Sequence, residues 1–254
     1  MKMTKEYILE CLDEYCTFEM LHEHNFEEQV VAPLQSAKCF SDWSWDNGAT
    51  KGVLIFKNLD FVIKIPFEGS CSWTESHYEN QNGSWIYDWD SRWNSNLRKI
   101  ESEEQFFEFE GSPAAGDSKW NYCQAEADLT VAAEEDGILH CFAATKFLGL
   151  ANGHPIYSQE KCFMFADAST STNKEKYKNR TKQDYESLNQ VRKRVGFWDI
   201  CDDWVLDFLI YWGEEILKKL NDFMFAHCIE DLHDGNIGYR NGIPCLVDYS
   251  SFRD

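Results

Sequence analysis

Asp231-Leu232-His233-Asp234-Gly235-Asn236, then Ile237-Gly-Tyr-Arg-Asn-Gly-Ile-Pro-Cys-Leu-Val247, then Asp248: this run decides how the chain reads. The middle segment reads as a β-hairpin of two apolar strands. A hairpin there sets three oxygen-bearing side chains, Asp231, Asn236 and Asp248, on two short loops. A carboxylate, an amide five residues on and a second carboxylate beyond a hairpin can supply what phosphoryl transfer from ATP requires. One group orients or deprotonates an acceptor hydroxyl, and two oxygen donors hold Mg²⁺. A surface turn rich in Asp, Gly and Asn is the plainer reading; the full spacing, with an apolar strand leading into Asp248, outweighs it.

The stretch resembles the catalytic and metal-binding loops of the protein-kinase-like superfamily. With His233 in third place it is similar to the Asp-Leu-His-x-x-Asn of the aminoglycoside and choline phosphotransferases. The resemblance implies Asp231 as the catalytic Asp, Asn236 as the catalytic-loop Asn and Asp248 as the metal-binding Asp. It also implies ATP and Mg²⁺ as cofactors and a bilobal α+β fold. That fold has an N-lobe of antiparallel sheet with one helix and a reduced, mainly helical C-lobe.

Upstream, residues 52–66 read as two β-branched strands about a turn at Lys57-Asn58. Lys64, in Val62-Ile63-Lys64-Ile65, resembles the family's Val-Ala-Ile-Lys. A lysine inside such an apolar run buries its stem and directs its ammonium at something anionic. In the family those anions are nucleotide phosphates and a helix Glu. The segment from Trp120 to Gly137 has good helix formers and a glycine stop. Tyr122, Ala125, Leu129 and Ala132 share one face, Glu126 lies beside it, and Glu126 is the expected partner of Lys64. Asp128, Glu134 and Glu135 belong on the solvated side. Residues 141–149 and 155–165 read as two further strands. Gln159 to Cys162 then lie near an adenine-holding hinge, which makes Glu160 a cofactor-binding candidate. The phosphate-covering loop is expected at Asp46-Asn-Gly48-Ala-Thr50-Lys51-Gly52. Its two glycines depart from the family's three. Backbone N–H groups in such a turn can cradle phosphate, helped by Thr50 and Lys51; a plain hairpin turn fits equally.

Other departures are Ile229 two residues before Asp231, where the family has His, and Tyr249-Ser250 in place of Phe-Gly. Only six residues follow Asp248, so no activation segment is read in them. These departures point to the alternative of a nucleotide-binding pseudokinase acting as scaffold or regulator. They leave the hydroxyl acceptor of an active phosphotransferase unassigned.

The 254 residues carry a formal charge of −20, with 43% hydrophobic and 15% aromatic residues. That is a globular composition with room for a sizeable core. The acidic excess disfavours nucleic-acid backbones and anionic membranes as partners. It motivates a third reading, an acidic protein that docks on a basic partner. The ten cysteines form no CxxC pair, and several, such as Cys141, Cys162 and Cys245, sit in apolar runs, as reduced core thiols do. With no signal-like start and no apolar run of membrane length, a cytoplasmic location is expected.

Three parts follow: a helical extension (1–40), the N-lobe (41–165) and a truncated C-lobe (166–254). Residues 4–32 are expected to be helical, with Thr4 as cap and Tyr7, Ile8, Cys11, Leu12 and Tyr15 as an apolar stripe. Its role is either to carry a partner interface or, more plainly, to pack on the N-lobe. An acidic insert at 66–119 holds Trp73, Trp85, Trp89 and Trp93 and reads as a decoration of the sheet or a binding insert. A polar linker at 166–173 precedes a basic segment from Lys174 to Arg194. That segment either gathers a phosphorylated acceptor or is a solvated helix paired with acids. Residues 203–226 are expected as one long helix carrying Trp204, Phe208, Tyr211, Trp212, Ile216, Leu220 and Phe223, about 36 Å in length.

Overall fold

The computed structural model describes residues 3–19, 21–48, 50–67, 78–81, 84–87, 98–100, 121–165, 179–196, 200–227, 229 and 232–249. Helix α1 (Lys5–Tyr15) opens as its sequence predicts: Thr4 Oγ1 accepts the Tyr7 N–H at 3.2 Å. The helix does not run on to residue 32. Cys16 is extended (φ −100°, ψ 153°), and Thr17 N–H donates to the Gln29 carbonyl at 3.1 Å. A second helical segment follows, a π-turn over Glu27–Val31 running into α2 (Ala32–Ser36). Asn25 Oδ1 accepts the His22 N–H at its entry. The extension is thus a helical hairpin. Ile8, Cys11, Leu12, Phe26, Val30, Val31 and Leu34 pack against Leu54, Phe56, Ile63, Ile65 and Ile156, the plainer of the two roles read from the sequence.

Strands β1 (Trp43–Asn47), β2 (Lys51–Phe56) and β3 (Phe61–Pro66) come next. Within the insert, β4 (Tyr78–Gln81), β5 (Ser84–Tyr87) and β6 (Arg98–Ile100) form a separate antiparallel meander. Trp85 lies in β5, opposite Asn80 and Ile100; Trp73, Trp89 and Trp93 lie outside the described residues. Strands β7 (Thr145–Ala151) and β8 (His154–Glu160) complete a five-stranded antiparallel sheet of order β1-β2-β3-β8-β7. The β7–β8 turn is Asn152-Gly153, both at positive φ. This mirror-image turn matches strand twist and suits Asn-Gly.

Helix α3 (Tyr122–Glu135) starts where Asn121 Oδ1 accepts the Gln124 N–H. It ends at Gly137 (φ 70°), where Ile138 N–H returns to the Ala133 carbonyl at 2.8 Å. This is the glycine stop expected from the sequence. Strand β9 (Phe163–Met164) pairs with β10 (Ile237–Arg240), which pairs with β11 (Ile243–Leu246). Gly238 is needed there, because a Cβ would stand 2.6 Å from the Phe163 carbonyl oxygen.

Helices α4 (Lys182–Val195) and α5 (Asp202–Ala226) pack on these strands. Thr181 and Asp184 make a capping box at the start of α4. The expected single long helix is broken: Gly213 sits at φ 83°, ψ 172° within α5, a conformation natural only to glycine. The apolar stripe shifts across the break. Trp204, Phe208, Leu220 and Phe223 are buried, whereas Tyr211 is exposed. The basic segment resolves toward its plainer reading. Arg180 pairs with Asp203 and Asp207 at 2.8 and 2.6 Å, Arg192 with Asp202 at 2.8 Å and Arg194 with Glu214 at 2.7 Å. Lys174, Lys176 and Lys178 lie outside the described residues. Trp204 Nε1–H donates to the Gly238 carbonyl and Tyr239 OH to Asp207, so α5 fixes β10.

Two compact units result, Met1–Gln124 with Phe147–Ser158, and Ala125–Lys146 with Gln159–Asp254. The first has the sheet and helical hairpin as its core. The second is built on α5 and on Leu129, Phe142, Leu188 and Tyr249. No helix among the described residues is long and apolar enough to cross a membrane.

Candidate functional site

In the first unit, the proposed phosphate loop is the tip of the β1–β2 hairpin. Asn47 stands opposite Gly52, and Gly48 N–H donates to the Lys51 carbonyl at 3.0 Å. The two glycines have different tasks. Gly48 is open, with nothing within 4 Å of a built Cβ. Gly52 lies in β2 under Phe26, whose ring would be 2.2 Å from a Cβ. It makes room for an aromatic ring that also packs on Trp45 and Phe67. Thr50 is half-buried, and its carbonyl accepts the Phe67 N–H. Lys51 and Lys64 are both buried, at 5% and 3% exposure. Lys64 sits in β3 opposite Val53.

In the second unit, the β10–β11 hairpin turns at Asn241-Gly242, both at positive φ, and closes the register from Ile237–Leu246 to Arg240–Ile243. It brings the two loops together. The Asn236 carbonyl accepts the N–H groups of Val247 (2.9 Å) and Asp248 (3.2 Å). Asn236 is buried and Asp248 half-buried. The turn before them is held by His233, whose carbonyl accepts the Asn236 N–H at 2.8 Å and whose Nδ1 accepts the Gly235 N–H at 3.0 Å. His233 thus supports the loop. A Cβ at Gly235 would stand 2.8 Å from that imidazole. Asp231 lies outside the described residues.

Glu126 is the one acid of α3 that is buried; Asp128, Glu134 and Glu135 are exposed. Its Oε2 accepts the Thr145 hydroxyl at 3.0 Å, and its carbonyl accepts the Thr130 hydroxyl at 2.9 Å. From these two threonines a buried polar network runs to the Asp248 loop. Gln159 Nε2–H donates to Thr145 Oγ1 (2.9 Å) and to the Val247 carbonyl (2.7 Å). The Tyr249 hydroxyl donates to the Ala143 carbonyl (2.8 Å) and lies 2.8 Å from Thr130 Oγ1. Burial pushes the Tyr249 phenol well up, with the Glu126 charge adding to it. The ring packs edge-on against Phe142 at 5.0 Å. Both neighbours of Asp248 are therefore anchored, Val247 by Gln159 and Tyr249 by Thr130 and Ala143. Sequence reasoning registered Tyr249 only as a departure from Phe and did not single out Thr130 or Thr145. The available signal was a threonine one helical turn after Glu126, in the same helix.

Glu160, read as a cofactor-binding residue, has its carboxylate tied into the second unit. Its carboxylate pairs with Arg240 and accepts the Ala144 N–H at 2.9 Å, and its own N–H donates to the Ala144 carbonyl. Arg240 also donates to the Phe142 and His140 carbonyls. These contacts tie the end of β8 to β10. Beside them Cys162 and Cys245 bring their sulfurs to 3.5 Å, and the hydrogen bond with Cys162, then burial, raise the Cys245 thiol.

Asn236 and Asp248 are hard oxygen donors, the kind Mg²⁺ takes. Among the described residues no group of three or more His, Cys, Asp or Glu could hold a metal by itself. A site with one carboxylate fits Mg²⁺ only in the usual manner, with substrate phosphate and water completing the shell. Compared with known proteins, the chain matches no family model, no curated protein and no solved structure.

Proposed function

We propose that the chain is an ATP-dependent phosphotransferase of kinase-like fold, acting on a hydroxyl acceptor. The observation that carries this reading is the backbone pairing that sets Asn236 beside Asp248, whose N–H donates to the Asn236 carbonyl at the mouth of a hairpin. The hairpin pairing brings these two oxygen-bearing residues, twelve apart in sequence, next to each other, Asn236 buried and Asp248 half-buried. Four further features support it. The sheet is antiparallel with Lys64 on its third strand. Lys64 is buried inside an apolar strand. Glu126 alone among the acids of its helix is buried. A polar network locks that helix to both neighbours of Asp248.

On this reading each residue has a positioning or electrostatic role, the main source of catalysis in phosphoryl transfer. Asn236 and Asp248 hold Mg²⁺, which neutralises charge on the phosphates when bound. Lys64 steadies the phosphate chain. Asp231 orients the acceptor hydroxyl or takes its proton. The Val247, Tyr249 and His233 contacts keep these loops in place before substrate arrives, so little reorganisation is needed during transfer.

The test is phosphate transfer or ATP hydrolysis that depends on Mg²⁺ and is lost in Asp231→Ala and Asp248→Ala while both variants stay folded. Nucleotide binding without turnover would move the reading to a pseudokinase scaffold. Turnover that survives both substitutions would remove it.

A further inference from the structure

Backbone contacts of the second unit fix where Cys162 and Cys245 stand. Before Cys162, the Glu160 N–H donates to the Ala144 carbonyl at 3.1 Å. After it, Met164 pairs with Gly238 of β10. Cys245 lies in β11 opposite that same Gly238, and its neighbour Leu246 accepts the Ala143 N–H at 2.7 Å. The two thiols, 83 positions apart in the chain, meet with their sulfurs at 3.5 Å. Ala143, Val247 and Met164 complete an apolar cluster around them. Cys245 is fully buried and Cys162 half-buried, so a small reagent from solvent meets Cys162 first.

The sulfurs of a disulfide stand about 2.05 Å apart. Each thiol sulfur here has to advance by only about 0.7 Å to reach that distance. Bringing together the ends of so long a stretch of chain is entropically costly, and the fold has already done it. The Cys245 thiol is held protonated by its hydrogen bond with Cys162 and by burial, which suits the second sulfur to react and not the first. In a reducing compartment, a disulfide between such thiols is transient and serves sensing or regulation.

We propose that Cys162 and Cys245 form a redox modification site, at which hydrogen peroxide closes a reversible disulfide between the segment after β8 and strand β11. The Cys162 thiolate attacks one peroxide oxygen and breaks the O–O bond, giving a sulfenic acid. The departing hydroxide takes up the proton that the thiol released and leaves as water. The Cys245 sulfur then attacks the Cys162 sulfur and breaks its S–O bond. Hydroxide departs with the Cys245 proton as a second water. Two thiols thereby give two electrons to one peroxide, and a dithiol reductant reverses the change by exchange. Cys245 stands three residues before Asp248, so the bond tethers the strand that leads into the Asp248 loop. The site requires no nucleotide, metal ion or phosphoryl transfer.

The experiment is peroxide titration of the reduced full chain in EDTA, followed by alkylation, digestion without reductant and mass spectrometry. Peptides joined through Cys162 and Cys245 appear ahead of any other disulfide, and dithiothreitol separates them. In urea this preference is lost; its persistence there would show that the fold does not create it. Cys162→Ser abolishes the joined peptides. In Cys245→Ala, which keeps the position apolar, they are also lost, and Cys162 accumulates as the sulfenic acid, trapped by dimedone. Wild-type mapping decides the matter by itself where a variant fails to fold. Both thiols surviving while other cysteines oxidise would overturn the site. So would Cys162 passing to the sulfinic acid with Cys245 still a thiol, or disulfides joining other cysteines first. Hydrogen exchange in peptides covering 243–249 slows in the oxidised chain, and unchanged exchange in fully cross-linked protein would overturn the tether.

Discussion

Replacing Tyr249 with Phe removes one oxygen from the centre of the network that anchors the Asp248 loop. The hydroxyl touches the Ala143 carbonyl and Thr130 Oγ1 at 2.8 Å each and Thr145 Oγ1 at 3.3 Å. Its neighbours are not orphaned by the change. Thr130 still donates to the Glu126 carbonyl and accepts the Thr145 N–H, and the Ala143 carbonyl still has Gln159 at 3.3 Å. The cost is therefore that of one or two buried hydrogen bonds, about 1–2 kcal/mol, without the larger penalty of a stranded polar group. For a chain of this size that lowers the melting temperature by about 2–8 °C. The ring, packed on Phe142, stays. Tyr249→Leu also gives up that aromatic contact and is expected to cost more, about 2–4 kcal/mol. Differential scanning calorimetry reads the stability. Hydrogen exchange in peptides covering 126–135 and 245–249 reads the coupling, and both segments should loosen together in the Phe variant. A melting temperature within about 1 °C of wild type, or loosening of one segment alone, would refute the idea that this hydroxyl joins α3 to the Asp248 loop.

Three further predictions follow from other parts of the molecule. Gly52→Ala places a methyl into the Phe26 ring and should destabilise by about 1–3 kcal/mol, with Phe26→Leu restoring part of the loss in denaturant titrations; an unchanged midpoint would contradict the packing role. Burial pushes the Cys16 and Cys141 thiols from an ordinary value of 9.0 up to about 12. Each is held protonated by the fold, so its contribution is full below pH 9 and drains away as pH rises toward 12; urea midpoints should fall across that window, and a flat profile would contradict it. Glu126→Gln and Thr145→Val, whose side chains hydrogen-bond at 3.0 Å, should be non-additive in stability, with a coupling of about 0.5–3 kcal/mol in denaturant titrations; strict additivity would separate the two residues.

What could be read from the sequence was what local chemistry decides. Asn152-Gly153 and Asn241-Gly242 make their turns because few dipeptides tolerate two positive φ values. Gly137 ends α3 for the same reason. The hairpin that unites Asn236 with Asp248 was legible because strand periodicity and turn chemistry agree there. Features set by distant partners were not. Nothing near Cys16 announces a helix end, because the break is sealed by a carbonyl thirteen residues away, at Gln29. Gly213 lies in a strongly apolar helical pattern and gives no sign by itself that the helix breaks there. Gly52 looked like part of a phosphate turn because its actual neighbour, Phe26, comes from the helical hairpin. The burial of Glu126 depends on Thr145, Gln159 and Tyr249, which only the fold assembles around it.

The central claim is a metal-dependent nucleotide site containing Asp248, and ligand-induced stabilisation tests it most directly. Melting is followed with millimolar ATP, with and without Mg²⁺, for wild type and for Asp248→Ala. At about 100 times the dissociation constant, bound nucleotide adds about 2.7 kcal/mol. The account predicts a rise in melting temperature of several degrees that grows with Mg²⁺ in wild type and loses its Mg²⁺ dependence in Asp248→Ala. No stabilisation of the wild type at millimolar ATP, or an Mg²⁺-dependent rise that persists in the variant, would contradict it.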